Sequence, residues 1–476
     1  MTKQSENNIF LTGWLPGVFA RTAAPIIMIT TISGLFAVVD AYFLGIYVGA
    51  DALSAVSLIF PALMLLIALQ SLVSNGMASI LARRLGAGNR VGARQVFTAA
   101  HALAFVVVIL INLLYWMVGR DVIVVSAAGD AAVAANANAF MGVMVGFAPV
   151  SFLLSLHIDA LRCEGKIGFM TLVTLASTLL NILANWLLIA VAHWGVVGSA
   201  SGSIAAQFIC LTIILAYRWR HPAALRPAMT IAISEWRGIL AFGAPMSLGF
   251  IGISLSSAAI LFNLSIWHEG DYVTTVAAYG IITRVMTFTY LPLLGLSIAL
   301  QTISGHNHGA AHPARVGRSL QIAMVSALIY CAAVELVVEL LARHLGAVFV
   351  GDAVIVAEVG RILPWTIGAY FLYGQMMMLS SYFQSIGDAK RGGDLRPVAA
   401  LSVHAAADIP AALRLRRTRD LDGAGLCGGG DVRACLAGSV TQCPGSWLAI
   451  RFTACMKRKR PRCRGAAFSI FKQAMP

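Results

Sequence analysis

Asp40 is the residue of this sequence with the most chemistry to explain. It is the one carboxylate in Arg21–Gly49 (RTAAPIIMITTISGLFAVVDAYFLGIYVG), an almost wholly apolar stretch long enough to cross a bilayer. A carboxylate at membrane depth costs roughly 2.5–3.5 kcal/mol on insertion scales, so it persists where something uses it. Holding a cation and exchanging a proton are the two uses open to it; near the outer interface it would merely meet water or an arginine. Pro25, in the same stretch, removes a helical hydrogen bond and is expected to bend it, and Pro245 stands near the start of a later apolar stretch. Arg284 is a second charge deep in apolar sequence. It is expected to face a cavity or pair with an acid, Asp40 among the choices, because lipid exposure is too costly. Glu335 and Glu339 are expected at the outer interface, and His157 and Asp159 as solvated helix-end residues. Met376, Met377 and Met378 offer an adaptable cavity wall, although ordinary packing is the commoner explanation of such a run.

The elements that must position these side chains are membrane spans. Of 476 residues 59% are hydrophobic and 11% charged, with mean hydropathy +0.82; a soluble chain carries about 25% charged residues. The fold class expected is therefore an all-α integral membrane protein. The polar start, MTKQSENNIF, lacks the pattern of a cleaved signal peptide. Residues 52–82, 95–119, 131–158 and 167–217 are uncharged, the last run divided by a turn at Ala192–Gly198. Residues 238–267, 272–305 (with Arg284 alone), 319–341 and 362–387 follow, making ten spans with the first. Even-numbered spans end in basic connections, such as Arg83–Arg94 and Arg218–Arg237, and odd-numbered ones in acid-leaning loops such as Asp121–Asp130 and Glu269–Asp271. That parity puts the N-terminus in the cytoplasm. No metal-spaced His/Cys/Asp/Glu cluster, nucleophile–base pair or phosphate loop is legible. An enzyme, a resident cofactor and a nucleic-acid partner are not expected; the lipid bilayer is, with a monomeric chain.

The chain also repeats itself. Ala23-Ala24-Pro25-Ile26 corresponds to Gly243-Ala244-Pro245-Met246, Leu85–Gly88 to His308–Ala311, and Glu164–Lys166 to Ile386–Asp388, at offsets of 220, 223 and 222. An even number of spans per repeat makes the halves parallel, related by an axis along the membrane normal. Expected boundaries are a cytoplasmic N-terminus (1–20), a first lobe of six spans (21–220), a cytoplasmic linker (221–237), a second lobe of four spans (238–390) and a tail (391–476). The tail holds fifteen Lys/Arg, five Asp and five of the eight cysteines, a net +10 of the chain's +14. Out-of-frame translation of a GC-rich gene gives that composition. The rival is a genuine basic tail binding anionic lipid through Lys457–Arg464.

Over residues 15–391 the chain resembles the multidrug and toxic compound extrusion (MATE) family. The resemblance rests on Pro25 with Asp40, Gly86-Ala87-Gly88, Leu161-Arg162-Cys163-Glu164-Gly165, Leu180-Asn181-Ile182-Leu183-Ala184-Asn185, Ala277–Ala310 and Gln384–Lys390. It implies two six-helix lobes, here six and four clear spans, around a central cavity. It further implies export of small organic cations across the bacterial inner membrane, coupled to H⁺ or Na⁺. The family's ion site, carried over, falls on Asp40, Asn181 and Ser203, with Asn185 where many members have a second acid. Na⁺ would then sit at Asp40, Asn181 and Asn185, and the substrate wall at Arg284, Met376 and Met377. The two asparagines are spaced i,i+4 and share a helix face. As polar glue between helices they would need no ion at all. The rival functions are a lipid- or polysaccharide-intermediate flippase of the same superfamily and a truncated transporter that no longer works.

Overall fold

A computed structural model describes residues 8–127, 130–222, 224–228, 232–266, 272–349, 352–368, 370–388 and 390–391. The expected Glu269–Asp271 loop and the tail beyond Arg391 lie outside the described residues. Among those described there is no strand. The helices are α1 (Ile9–Thr12), α2 (Leu15–Tyr47), α3 (Ala50–Gly86), α4 (Arg90–Leu114), α5 (Arg120–Ser126), α6 (Ala131–Gly146), α7 (Ala148–Cys163), α8 (Ile167–Asn185) and α9 (Gly195–Arg220) in the first half. A π-helical segment, Tyr115–Gly119, joins α4 to α5, and another, Trp186–Val191, extends α8. The second half has α10 (Trp236–Ile266), α11 (Tyr272–Gly309), α12 (Pro313–Phe349), α13 (Ala353–Ile367) and α14 (Tyr370–Ile386).

Among the described residues seven helical runs are long and apolar enough to cross a membrane, and two bent pairs, α6–α7 and α13–α14, do so if each is one crossing. With the 31-residue α10 these take the ten expected places in order. Several boundaries lie a few residues outside those expected, and two of the shifts matter for the fold. The first span begins at Leu15 rather than Arg21, and α1 before it is no solvated tail, because Phe10 and Leu11 are buried. The tenth begins at Ala353 rather than Ile362. Its extra turns contain Glu358 and Arg361, which pair with each other one turn apart, so two charges that look like a loop sit on a helix.

The internal repeat is structural as well as sequential. The bent pair at Ala131 recurs at Ala353, and Gly88 (φ 73°) and Gly165 (φ 76°) have counterparts in Ala311 (φ 57°) and Gly387 (φ 94°). An alanine in the left-handed region costs about 1–2 kcal/mol; the turn demands that backbone whichever residue occupies it. Pro25 and Pro245 each sit inside a continuous helix, α2 and α10.

The halves meet along α2, α3, α10 and α11. α10 lies along α3, and α11 lies along both α2 and α3. Thr30 Oγ1 is shared between Ile27 O of its own helix at 2.9 Å and Leu291 O at 3.1 Å, and Gly34 against Leu291 with Gly295 against Ile27 gives α2 and α11 an antiparallel register. At the end of the bundle that carries the basic turns, Arg162 of α7 is buried and reaches across to α11. Its guanidinium pairs with Asp159 at 2.8 Å and donates to Ile298 O at 3.2 Å and to Thr302 Oγ1. Removing a guanidinium from water costs several kcal/mol, offset only by a full set of partners such as this one. α1 makes a second crossing there. The Phe10 ring packs tilted against that of His306, centroids 4.5 Å apart, and the Phe10 carbonyl accepts from Asn307 Nδ2 and Arg315 Nη2, both at 3.2 Å.

Candidate ion site in the first half

α8 and α9 form an antiparallel hairpin about the turn at Ala192. Asn181 faces Ser203 across it, and its Nδ2 donates to Ser203 Oγ at 2.8 Å. On the next rung, four residues on in one helix and four back in the other, Asn185 stands opposite Ser199. Both donate instead to a third helix: Asn185 Nδ2 to Asp40 Oδ1 at 2.6 Å, and Ser199 Oγ to the same oxygen at 2.8 Å. Gly202 permits this. A Cβ there would lie 2.5 Å from Asn185 Oδ1, so a side chain would push α9 off α8. Asn185 also ends the regular helix, and the π-helical segment begins at the following residue, an interruption frequent at functional sites.

Asn181, Asn185 and Ser199 are buried, at 6%, 0% and 0% exposure. The Oδ1 atoms of Asn181 and Asn185 are buried without any hydrogen-bond partner. Leaving a polar atom in that condition costs about 1–3 kcal/mol. The two orphaned amide carbonyls lie one helical turn apart on α8, with Asp40 on the amide nitrogen of Asn185; amide and carboxylate oxygens are the donor type that holds a hard cation.

The structure thus gathers Asp40, Asn181, Asn185 and Ser203, but with one change of partner. Ser203 touches Asn181, and the hydroxyl on the carboxylate belongs to Ser199. The spacing carried the signal: Ser199 and Ser203 share a face of α9 just as the two asparagines share one of α8.

Other expectations meet different outcomes. Arg284 is exposed, and no ion pair joins it among the described residues. The α2–α11 register puts it within about a turn of the depth of Asp40, whose Oδ1 is already engaged by α8 and α9. Met377 and Met378 are buried in the apolar core, leaving Met376 half-buried as the one of the three with surface to offer. His157, expected in solvent, is 3% exposed with Nε2 3.4 Å from that of His101. Asp159 is held by Arg162 rather than left to water. Arg218 closes this region by pairing with Glu164 at 2.7 Å.

Repeated halves of apolar helices, with a carboxylate at membrane depth held by amide and hydroxyl donors in one of them, define a multi-pass membrane transporter. The MatE family model matches residues 25–187 and 245–393, one block in each half, and the chain belongs to that family. It is similar to the "Probable multidrug resistance protein YoeA" of Bacillus subtilis (strain 168), 21% identical over 375 residues, 76% of this chain and 80% of that one. It is 24% identical to the "Multidrug export protein MepA" of Staphylococcus aureus (strain N315), over 77% of this chain and 80% of that one. Among solved structures, the outward-facing conformation of a multidrug resistance MATE family transporter of the MOP superfamily matches with TM-score 0.75 at 20% identity. That match covers 89% of this chain and 99% of the other.

Proposed function

We propose that this chain is a secondary active antiporter that exports organic cations across a bacterial cytoplasmic membrane, driven by an inward flow of Na⁺ through the Asp40 site. The observation that carries the reading is the pair of orphaned Asn181 and Asn185 carbonyls one turn apart on the helix that holds the Asp40 carboxylate. A cation draws on both carbonyls and the carboxylate together, whereas a proton on Asp40 satisfies one acceptor at most. The names of the relatives, multidrug resistance and multidrug export proteins, support the choice of substrate class. The positive-inside parity of the turns supports a cytoplasmic N-terminus.

The mechanism is competition. Hydrogen bonds from Asn185 and Ser199 favour the carboxylate form of Asp40, and that is the form both the coupling ion and a cationic drug bind. Occupation by one helps release the other as the halves alternate in access. Dye efflux from an efflux-deficient host, with a panel of cationic dyes and with or without Na⁺, tests this. Na⁺-dependent efflux that Asp40→Asn abolishes at unchanged membrane levels is expected. Full efflux in Asp40→Asn overturns the site, and efflux that follows a proton gradient in the absence of Na⁺ transfers the coupling to H⁺.

A further inference from the structure

The seam where α3 meets α11 and α14 is tight in its backbone and incomplete in its polar groups. Gly86 of α3 lies against the backbone of His306, and Gly309 of α11 against that of Arg83, so the helices touch there without intervening side chains. The same faces are lined with hydroxyls and amides. Ser79 Oγ donates to Gln384 O at 2.7 Å, Ser297 and Ser381 share a hydrogen bond of 2.5 Å, and Gln384 Nε2 donates to Phe242 O. Five further polar atoms of this seam are buried with no partner: Asn75 Oδ1, both amide ends of Gln301, Ser304 Oγ and Gln384 Oε1. They account for five of the eleven such atoms among the described residues, so the deficit is concentrated here.

The helical register places them together. Gly305 stands against Ala82, so Gln301 lies one turn away from that contact, near the level of Ser79 and its partner Gln384. Gln301 is 2% exposed and Gln384 0%. A buried amide that loses water at both ends and gains nothing destabilises the conformation that buries it. An apolar side chain of equal size would avoid the loss, so the amides point to a second conformation in which they are wet.

We infer that Asn75, Gln301, Ser304 and Gln384 form the wall of the substrate path that opens when the two halves part on the side of the basic turns. In that state their amide and hydroxyl groups take up water and pass organic cations along neutral oxygens; in the present state the path is shut and they are left unpaired. This rests on the antiporter reading above. The seam is distinct from the Asp40 site, where the carboxylate's hydrogen-bond partners among the described residues, Asn185 and Ser199, lie in the first half.

The test uses the full-length chain. Gln301→Met keeps the volume and removes the orphaned atoms, and Ser304→Ala removes the orphaned hydroxyl. Both are expected to raise the thermal midpoint of the purified protein and to slow dye efflux, Gln301→Met by about tenfold or more, at unchanged membrane levels. Gln301→Cys is expected to react with a membrane-impermeant maleimide added on the side of the basic turns, read by mass spectrometry on the peptide carrying residue 301, and to react more slowly when ethidium is present. Full efflux by Gln301→Met, a lowered thermal midpoint, or a Gln301→Cys that stays unlabelled beside a working wild type overturns the path. A wild type that moves no dye overturns the antiporter reading itself, and the path with it.

Discussion

Ser199 is the residue that changes the description of the ion site most. Its hydroxyl donates to Asp40 Oδ1 at 2.8 Å, whereas that of Ser203 accepts from Asn181 Nδ2. A hydrogen bond to a charged group contributes about 1.5–3 kcal/mol and one between neutral groups about 0.5–1.5 kcal/mol. Ser199→Ala is therefore expected to raise the Na⁺ concentration for half-maximal dye efflux by about tenfold to a hundredfold, and Ser203→Ala by less. Equal effects, or a larger one at Ser203, would return the carboxylate's hydroxyl partner to the position that the family resemblance implied. Asp40 is legible in the sequence because a lone acid in apolar surroundings is conspicuous. Ser199 is not, because serines 199, 201 and 203 look alike until the rotation of α9 selects a face.

At the scale of elements, α1 is four residues long and ties the halves together out of proportion to its length. Arg315 of α12 donates from Nη2 to the carbonyls of Phe10 and Gly13, at 3.2 and 2.9 Å, and from Nε to Asn307 Oδ1 at 2.9 Å. α1 continues into α2 of the first half, so any motion that separates the halves at this end must release it from α11 and α12. Arg315→Ala is expected to speed amide exchange over residues 8–13 by at least about tenfold to a hundredfold, the equivalent of one of the two charge-assisted bonds the segment loses. Unchanged exchange would mean that Phe10 packing alone holds the segment. By composition this segment looks external, because MTKQSENNIF is polar on average. The two buried side chains, Phe10 and Leu11, come at its very end and just after it. The early start of α13 is hidden for a related reason: Glu358 and Arg361 count as charges in a hydropathy window, although each neutralises the other on the helix.

For the whole molecule, the first half has six spans and the second has four within the described residues. The family match ends at residue 393, close to the compositional break at 391. In the first half α2 packs against α8 and α9; the repeat calls for two further helices to do the same for α10. We propose a frame change near codon 391 as the reason that no such pair is legible in the sequence. The other two frames of the DNA are then expected to encode two apolar helices beyond that codon, and finding neither leaves a genuine basic tail as the answer. The sequence by itself determined the class, the span order, the parallel repeat and the acid at membrane depth, because hydropathy and charge are written locally along the chain. Tertiary structure alone decided that Ser199 rather than Ser203 meets Asp40 and that Met377 is core. It also decided that Arg284 has no ion-pair partner among the described residues and that the α3–α11 seam keeps unpaired amides. Each of these depends on how a helix is rotated about its axis against one far away in sequence, as Asn185 and Ser199 are 145 and 159 residues from Asp40. Rotation and register are set by packing between elements, which no local pattern records.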